Sequence, residues 1–174
     1  MNKAQKVYSQ KLIDKAIKLG AVSAHAFTID QIVFDPRTLL KCMFGCGDWN
    51  NGLTCPSANP QVKLSDYKEM FSAYSYGVIV HANDKKTNHD VSFLLESMAF
   101  LDGYHFAFSL SDCALCKTCA GFEDESCRFK KKARPAFHSV GIDVFTTAKN
   151  MGLPLYPLKE EGEEQNWYAA VFVE

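Results

Sequence analysis

A single mixed sheet covered by helices, in an α/β or α+β domain carrying two cysteine-rich loops, is the fold this sequence predicts. Three observations predict it. Short β-branched and aromatic runs alternate along the chain with segments of helical periodicity. The 174 residues are 47% apolar and 22% charged, the balance of an ordinary globular protein. All seven cysteines fall in two short stretches beside the regular segments, and loops held by a rigid scaffold are where metal sites usually sit.

Residues 4–19 carry Ala4, Val7, Tyr8, Leu12, Ile13, Ala16 and Leu19 on one helical face, and Gly20 follows as a C-cap. "VSAHAFTI" reads as a strand. "LSDYKEMFSAY" places Tyr67, Met70, Phe71 and Tyr74 on one helix face behind a Ser65 or Asp66 cap. "SYGVIVHA" is a second strand. "DVSFLLESMAFLDG" reads as a helix from an Asp90 N-cap to a Gly103 stop. "YHFAFSLS" is a strand that runs into the second cysteine group. "GIDVFTTAKNMG" is a short helix ended by Gly152, and "NWYAAVFV" is the closing strand. The acidic stretch "KEEGEEQ" reads as a solvated turn. No repeat, low-complexity segment or linker divides the chain, so residues 1–174 are expected to form one domain. A chain of this length removes roughly 70% of its unfolded surface from water and needs no covalent staples.

The net charge of −1 makes no case for nucleic acid or an anionic membrane surface as partner. "MNKAQKVYSQKLIDKAIKLG" contains no apolar run long enough for a signal peptide or a membrane span, which reads as cytoplasmic. Thiols stay reduced in that compartment, and an odd cysteine count argues against a disulfide framework. Buried structural thiols account for one or two cysteines in many proteins. They do not account for grouping into four and three, which points to metal.

In "SDCALCKTCAGFEDESC", Cys113, Cys116 and Cys119 stand at strict three-residue intervals and Cys127 follows. A single tetrahedral zinc is usually held by two separated C-x2-C pairs, or by one such pair and a distant pair. C-x2-C-x2-C with a further cysteine is the pattern of cubane iron–sulfur clusters, where one loop wraps a four-iron core. In bacterial ferredoxins the fourth cysteine comes after three residues and is followed by proline. Here seven residues separate Cys119 from Cys127 and Arg128 follows, which lets Cys127 return to the same cluster. The reading is a [4Fe–4S] cluster on these four cysteines, with zinc as the alternative.

"CMFGCGDWNNGLTCPS" gives Cys42-x3-Cys46-x8-Cys55. Cys42 and Cys46 share a face if the end of "RTLLKCMF" is helical. Gly45, Gly47 and Gly52 permit close approach of backbone to a bulky cluster, and Pro56 stiffens the exit. Two complete cubanes need eight cysteines, and the chain has seven. A second [4Fe–4S] cluster on Cys42, Cys46 and Cys55 therefore takes another ligand or leaves an iron open as a Lewis acid; a three-iron cluster is a further possibility. Asp48 is the nearest candidate ligand in sequence, and His81, His89, His105 and His138 are candidates through the fold. The alternatives are a three-cysteine zinc site completed by histidine, or thiols that only pack.

These residues resemble a family. "CMFGCGDW…TCP", then "CALCKTCA", then "CRFKKKARPAFHSVGIDVFTTAKNMG" are similar to the widespread prokaryotic family of predicted metal-binding proteins of unknown function, over residues 42–152. The resemblance implies metal on Cys42, Cys46, Cys55, Cys113, Cys116, Cys119 and Cys127, and iron–sulfur clusters of the kind expected of its members in anaerobes and methanogens. Arg134-Pro135 and Gly141-Ile142-Asp143 match the family's downstream segment. The first motif departs from it: the family's tryptophan stands closer to the third cysteine and two prolines follow, whereas Trp49 is six residues before Cys55 and Pro56 is followed by Ser57.

"CRFKKKARP" sets Arg128, Lys130, Lys131, Lys132 and Arg134 beside Cys127. Such a run either docks an acidic partner or anionic substrate, or balances the charge of an anionic cluster. Trp49 and Phe122 are candidates for shielding clusters from water. There is no phosphate loop, dinucleotide fingerprint or Ser/His/Asp arrangement of recognisable spacing. The expected function is one-electron transfer in anaerobic metabolism, with an acidic ferredoxin- or flavodoxin-like redox partner. The alternatives are an enzyme that activates a small-molecule ligand at an open iron, and a zinc-stabilised binding module.

Overall fold

Val78, Ile79 and Val80 form an unbroken apolar run, and such a run needs cover on both faces. In the computed structural model, which describes residues 1–160 and 162–174, it is the centre of β2 (Tyr76–Ala82), buried at every position. β2 lies between β1 (Ser23–Thr28) and β4 (Trp167–Phe172), and β3 (Phe108–Leu110) pairs with the far side of β4. The four strands make one sheet in the order β1-β2-β4-β3. The sequence predicts a mixed sheet, but all three pairings are antiparallel. The reason is the last strand: β4 inserts between β2 and β3, so these two never pair with each other.

Alternate residues of β2 face different cores. Tyr76, Val78 and Val80 pack with Val171 beneath Leu12 and Ala16 of α1 (Lys3–Lys18) and Val91 and Leu95 of α4 (Lys85–Leu101). Ile79 packs on the opposite face with Phe27, Leu110 and Phe172, covered by Phe71 of α3 (Leu64–Ser72) and by Phe137, Val140 and Ile142. Each fully buried aliphatic side chain contributes about 1.5–3 kcal/mol. Gly77 keeps the second core tight: a Cβ there would stand 2.3 Å from the Val171 carbonyl oxygen and 2.5 Å from the Phe27 ring. The remaining helices are α2 (Thr38–Gly45) and α5 (Val144–Asn150), and none among the described residues is long and apolar enough to cross a membrane.

Several boundaries move from their predicted places. α4 starts five residues before Asp90, because Asp84 accepts the Thr87 amide at 2.8 Å and is the true N-cap; its polar first turn hides the helical period. α3 is capped through Asp66 at its third position, which accepts the Lys63 amide at 2.9 Å. β3 is three residues long rather than eight, since residues 104–107 form a turn in which the Ala107 amide donates to the Tyr104 carbonyl. Tyr104 instead packs against Tyr8, ring centroids 4.4 Å apart. Gly20, Gly103 and Gly152 end their helices with positive φ, as their places in the sequence predict. Glu161, inside the acidic stretch, lies outside the described residues; its neighbours 159, 160 and 162–165 are exposed.

Candidate metal centre

The two cysteine groups reach one place by separate braces. Asp35 donates its amide to the Gly141 carbonyl and Asp143 to the Val33 carbonyl, both at 2.8 Å, with Phe34 bridging Ile142 between them. This short antiparallel pairing aims the chain into α2, which packs against the 3-10 turn His138–Val140. Cys42 lies on α2 and Cys46 immediately past its end as C-cap. Tight turns then return the chain: the Gly52 amide donates to the Asp48 carbonyl at 2.7 Å and the Cys55 amide to the Gly52 carbonyl at 3.0 Å. The predicted shared helix face therefore stops one residue short of Cys46.

The second group hangs on an acid within α4. Glu96, only 8% exposed, accepts the Ser109 amide and hydroxyl, each at 2.7 Å, and pairs with the Arg134 guanidinium, whose Nε donates at 2.7 Å. Ser109 precedes the cysteines and Arg134 follows them, so one carboxylate holds both stems of the loop. The Ser111 amide closes the stems by donating to the Pro135 carbonyl at 3.0 Å. Arg134 also lies over the Phe93 and Phe108 rings at 4.9 and 5.1 Å. Glu96 was hidden in the sequence as a polar residue within an apolar helix; a carboxylate in the middle of "FLLESMAF" was the available signal.

All seven cysteines are free thiols, and all seven line one cavity of about 430 Å³. The loops that carry them meet backbone to backbone: a Cβ on Gly121 would stand 1.9 Å from the Asn51 carbonyl oxygen. A Cβ on Gly52 would stand 2.4 Å from the Cys55 sulfur, so both glycines are there for close approach. Trp49 lines the cavity, whereas Phe122 is 46% exposed and does not. Lys41, Lys85, Lys117 and Arg128 share the lining with Asp48 and Asp112.

Burial raises the thiol pKa values, and the thiols raise one another. Cys55 is pushed up to about 11, first by burial and then by Cys46, Asp48, Cys42 and Cys119. Cys113 is raised by burial and by Cys127, Cys116 and Cys119, against the Leu115 amide. Cys42 is raised by burial, Cys46 and Asp112. Each thiolate disfavours the next without a cation among them. A metal cation reverses that sign, and seven soft donors around one space suit a thiophilic metal. Among the described residues, no three His, Cys, Asp or Glu side chains converge closely enough to hold one metal ion: the sulfurs stand around a space rather than a point.

The predicted histidines separate. His138 lines the cavity; burial lowers its pKa against the opposing pull of Asp112 and Asp143. His81 lies in the sheet stacked on Tyr168 at 4.9 Å, His89 is buried with Nδ1 2.9 Å from the Ser111 hydroxyl, and His105 is exposed beside Phe100. The basic run separates too. Arg128 pairs with Glu123 at 2.6 Å and Glu125 at 3.2 Å, and Arg134 is the Glu96 partner. Lys130, Lys131 and Lys132 are exposed and pair with no acid among the described residues.

Seven free thiols gathered on one cavity of an antiparallel α+β scaffold are the architecture of a metal-binding protein. The model of the family described as predicted metal-binding protein (DUF2284) matches residues 25–173, and the chain belongs to that family. Comparison with curated proteins and with solved structures gave no match.

Proposed function

We propose that this chain is a cytoplasmic iron–sulfur protein that moves single electrons in anaerobic metabolism. Cys113, Cys116, Cys119 and Cys127 hold one [4Fe–4S] cluster, and Cys42, Cys46 and Cys55 hold a second. The observation that carries this reading is the gathering of all seven free thiols around one cavity. A single zinc with about 2.3 Å bonds draws its four donors around one point. Thiols spread over cavity walls suit a polynuclear group, whose irons each take one sulfur.

A bound cluster supplies one-electron oxidation and reduction at a potential set by its ligands, burial and surroundings. The chain's own residues do the rest. The thiols give up their protons and bind. Trp49, Leu53 and Leu115 exclude water from the walls. Lys41, Lys85, Lys117 and Arg128 offset the thiolate charge. Lys130, Lys131 and Lys132 then remain for an acidic ferredoxin- or flavodoxin-like partner.

The test is purification without oxygen, quantification of iron, sulfide and zinc, and EPR of the reduced protein. About eight irons per chain and two signals are expected from two four-iron clusters. Zinc without labile sulfide would end the redox reading. Cys55→Ser should alter one signal and leave the other; loss of both would mean that the groups build one shared site.

A further inference from the structure

Two four-ligand metal groups call for eight ligands, and the cavity offers seven cysteines. We propose that His138 is the eighth metal ligand, completing the group of Cys42, Cys46 and Cys55. The proposal rests on the metal-centre reading above but not on the identity of the metal.

Position comes first. Of the five histidines, His138 alone is among the cavity-lining residues. The pairing of residues 33–35 with 141–143 sets the His138–Val140 turn against α2, the helix that carries Cys42 and ends at Cys46. His138 thus comes to the cavity from a segment packed against the helix that carries Cys42. Phe145 flanks its ring, with centroids 6.5 Å apart. Among the described residues the imidazole makes no hydrogen bond, whereas His89 is engaged by Ser111 at Nδ1 and keeps its Nε2 sealed in the core, away from the cavity.

The competing donors are less suited. Asp112 lines the same cavity, but its carboxylate faces Lys85 at 3.9 Å. Asp48 is exposed, and the Cys55 thiol approaches its backbone oxygen at 3.7 Å. Carboxylates suit hard cations such as magnesium and calcium, while imidazole suits iron and zinc. Three cysteines and one histidine form a recurring zinc set, and imidazole replaces thiolate on iron in some clusters. A neutral ligand also adds no further negative charge to a crowded set of thiolates.

The experiment is pulsed EPR on reduced protein prepared without oxygen, with natural-abundance and with ¹⁵N-labelled histidine. One of the two cluster signals should show a nitrogen coupling that changes with the label. His138→Ala should lose that coupling, with iron falling from about eight to about four per chain if the incomplete cluster is released. His138→Cys should keep the iron without the coupling, which separates ligation from a folding defect. Two signals without histidine nitrogen, or a coupling that survives in His138→Ala, would overturn the proposal. If the protein holds zinc and no sulfide, the iron–sulfur reading fails, and cobalt substitution tests His138 separately. A three-sulfur, one-nitrogen cobalt spectrum lost in His138→Ala supports it, and an unchanged spectrum overturns it.

Discussion

Replacing Glu96 by glutamine removes the charge that holds both stems of the four-cysteine loop while keeping the side chain's shape. The pair is largely sequestered, with Glu96 and Arg134 side chains 11% and 12% exposed, so screening by water is slight. Removing one partner of such a pair leaves the other charge buried and uncompensated, which costs about 3–5 kcal/mol. Glutamine's carbonyl oxygen still accepts from Ser109, so that neutral contact, worth about 1 kcal/mol, is largely retained. For a chain of this size, about 3–5 kcal/mol lowers the melting temperature by about 6–20 °C. The assay is oxygen-free urea and thermal unfolding followed by circular dichroism, with metal content measured on the folded fraction. Arg134→Met should cost less, because Glu96 keeps its two Ser109 donors, and Glu96→Leu with Arg134→Met should cost less than the sum of the two single changes. A loss below about 1 kcal/mol for Glu96→Gln would refute the reasoning, since that is what a solvent-screened surface pair contributes.

Gly121→Ala forces a Cβ into the Asn51 carbonyl oxygen and parts the two cysteine loops; metal content should fall by half or more while far-UV circular dichroism stays native, and full metal content would mean the loops need not touch. His89 is held neutral by burial, below its ordinary 6.5. The unfolded chain therefore takes up a proton first as pH falls. The contribution is present in full above about 6.5 and is lost below it, so the stability drop between about pH 7.5 and 5.5 should be shallower in His89→Gln. An equal drop in both proteins would place the titration elsewhere. Charge reversal by Lys130→Glu, Lys131→Glu and Lys132→Glu should slow reduction by an acidic ferredoxin-like donor, with the deficit shrinking as salt rises. Unchanged rates and salt dependence would show that these lysines are not the docking patch.

Local chemistry was legible in the sequence because it depends on neighbours a few residues apart. The apolar run around Val78 declared a buried strand, Gly20, Gly103 and Gly152 declared helix ends, and the three-residue cysteine spacing marked a candidate metal loop. Boundaries slipped where side-chain bonds outrank periodicity, as with Asp84 at the start of α4. What the sequence by itself determined is therefore the inventory: strands and helices of one sheet, and thiols in groups of four and three. Only the tertiary structure decided that both groups line one cavity, that Glu96 ties the second group's stems, and that His138 and not His81, His89 or His105 reaches the site. These are contacts between segments tens of residues apart, set by how the sheet and its covering layers pack. The insertion of the last strand, β4, between β2 and β3 is the same kind of fact: each strand's own residues predict a strand, and only burial against its neighbours chooses the order.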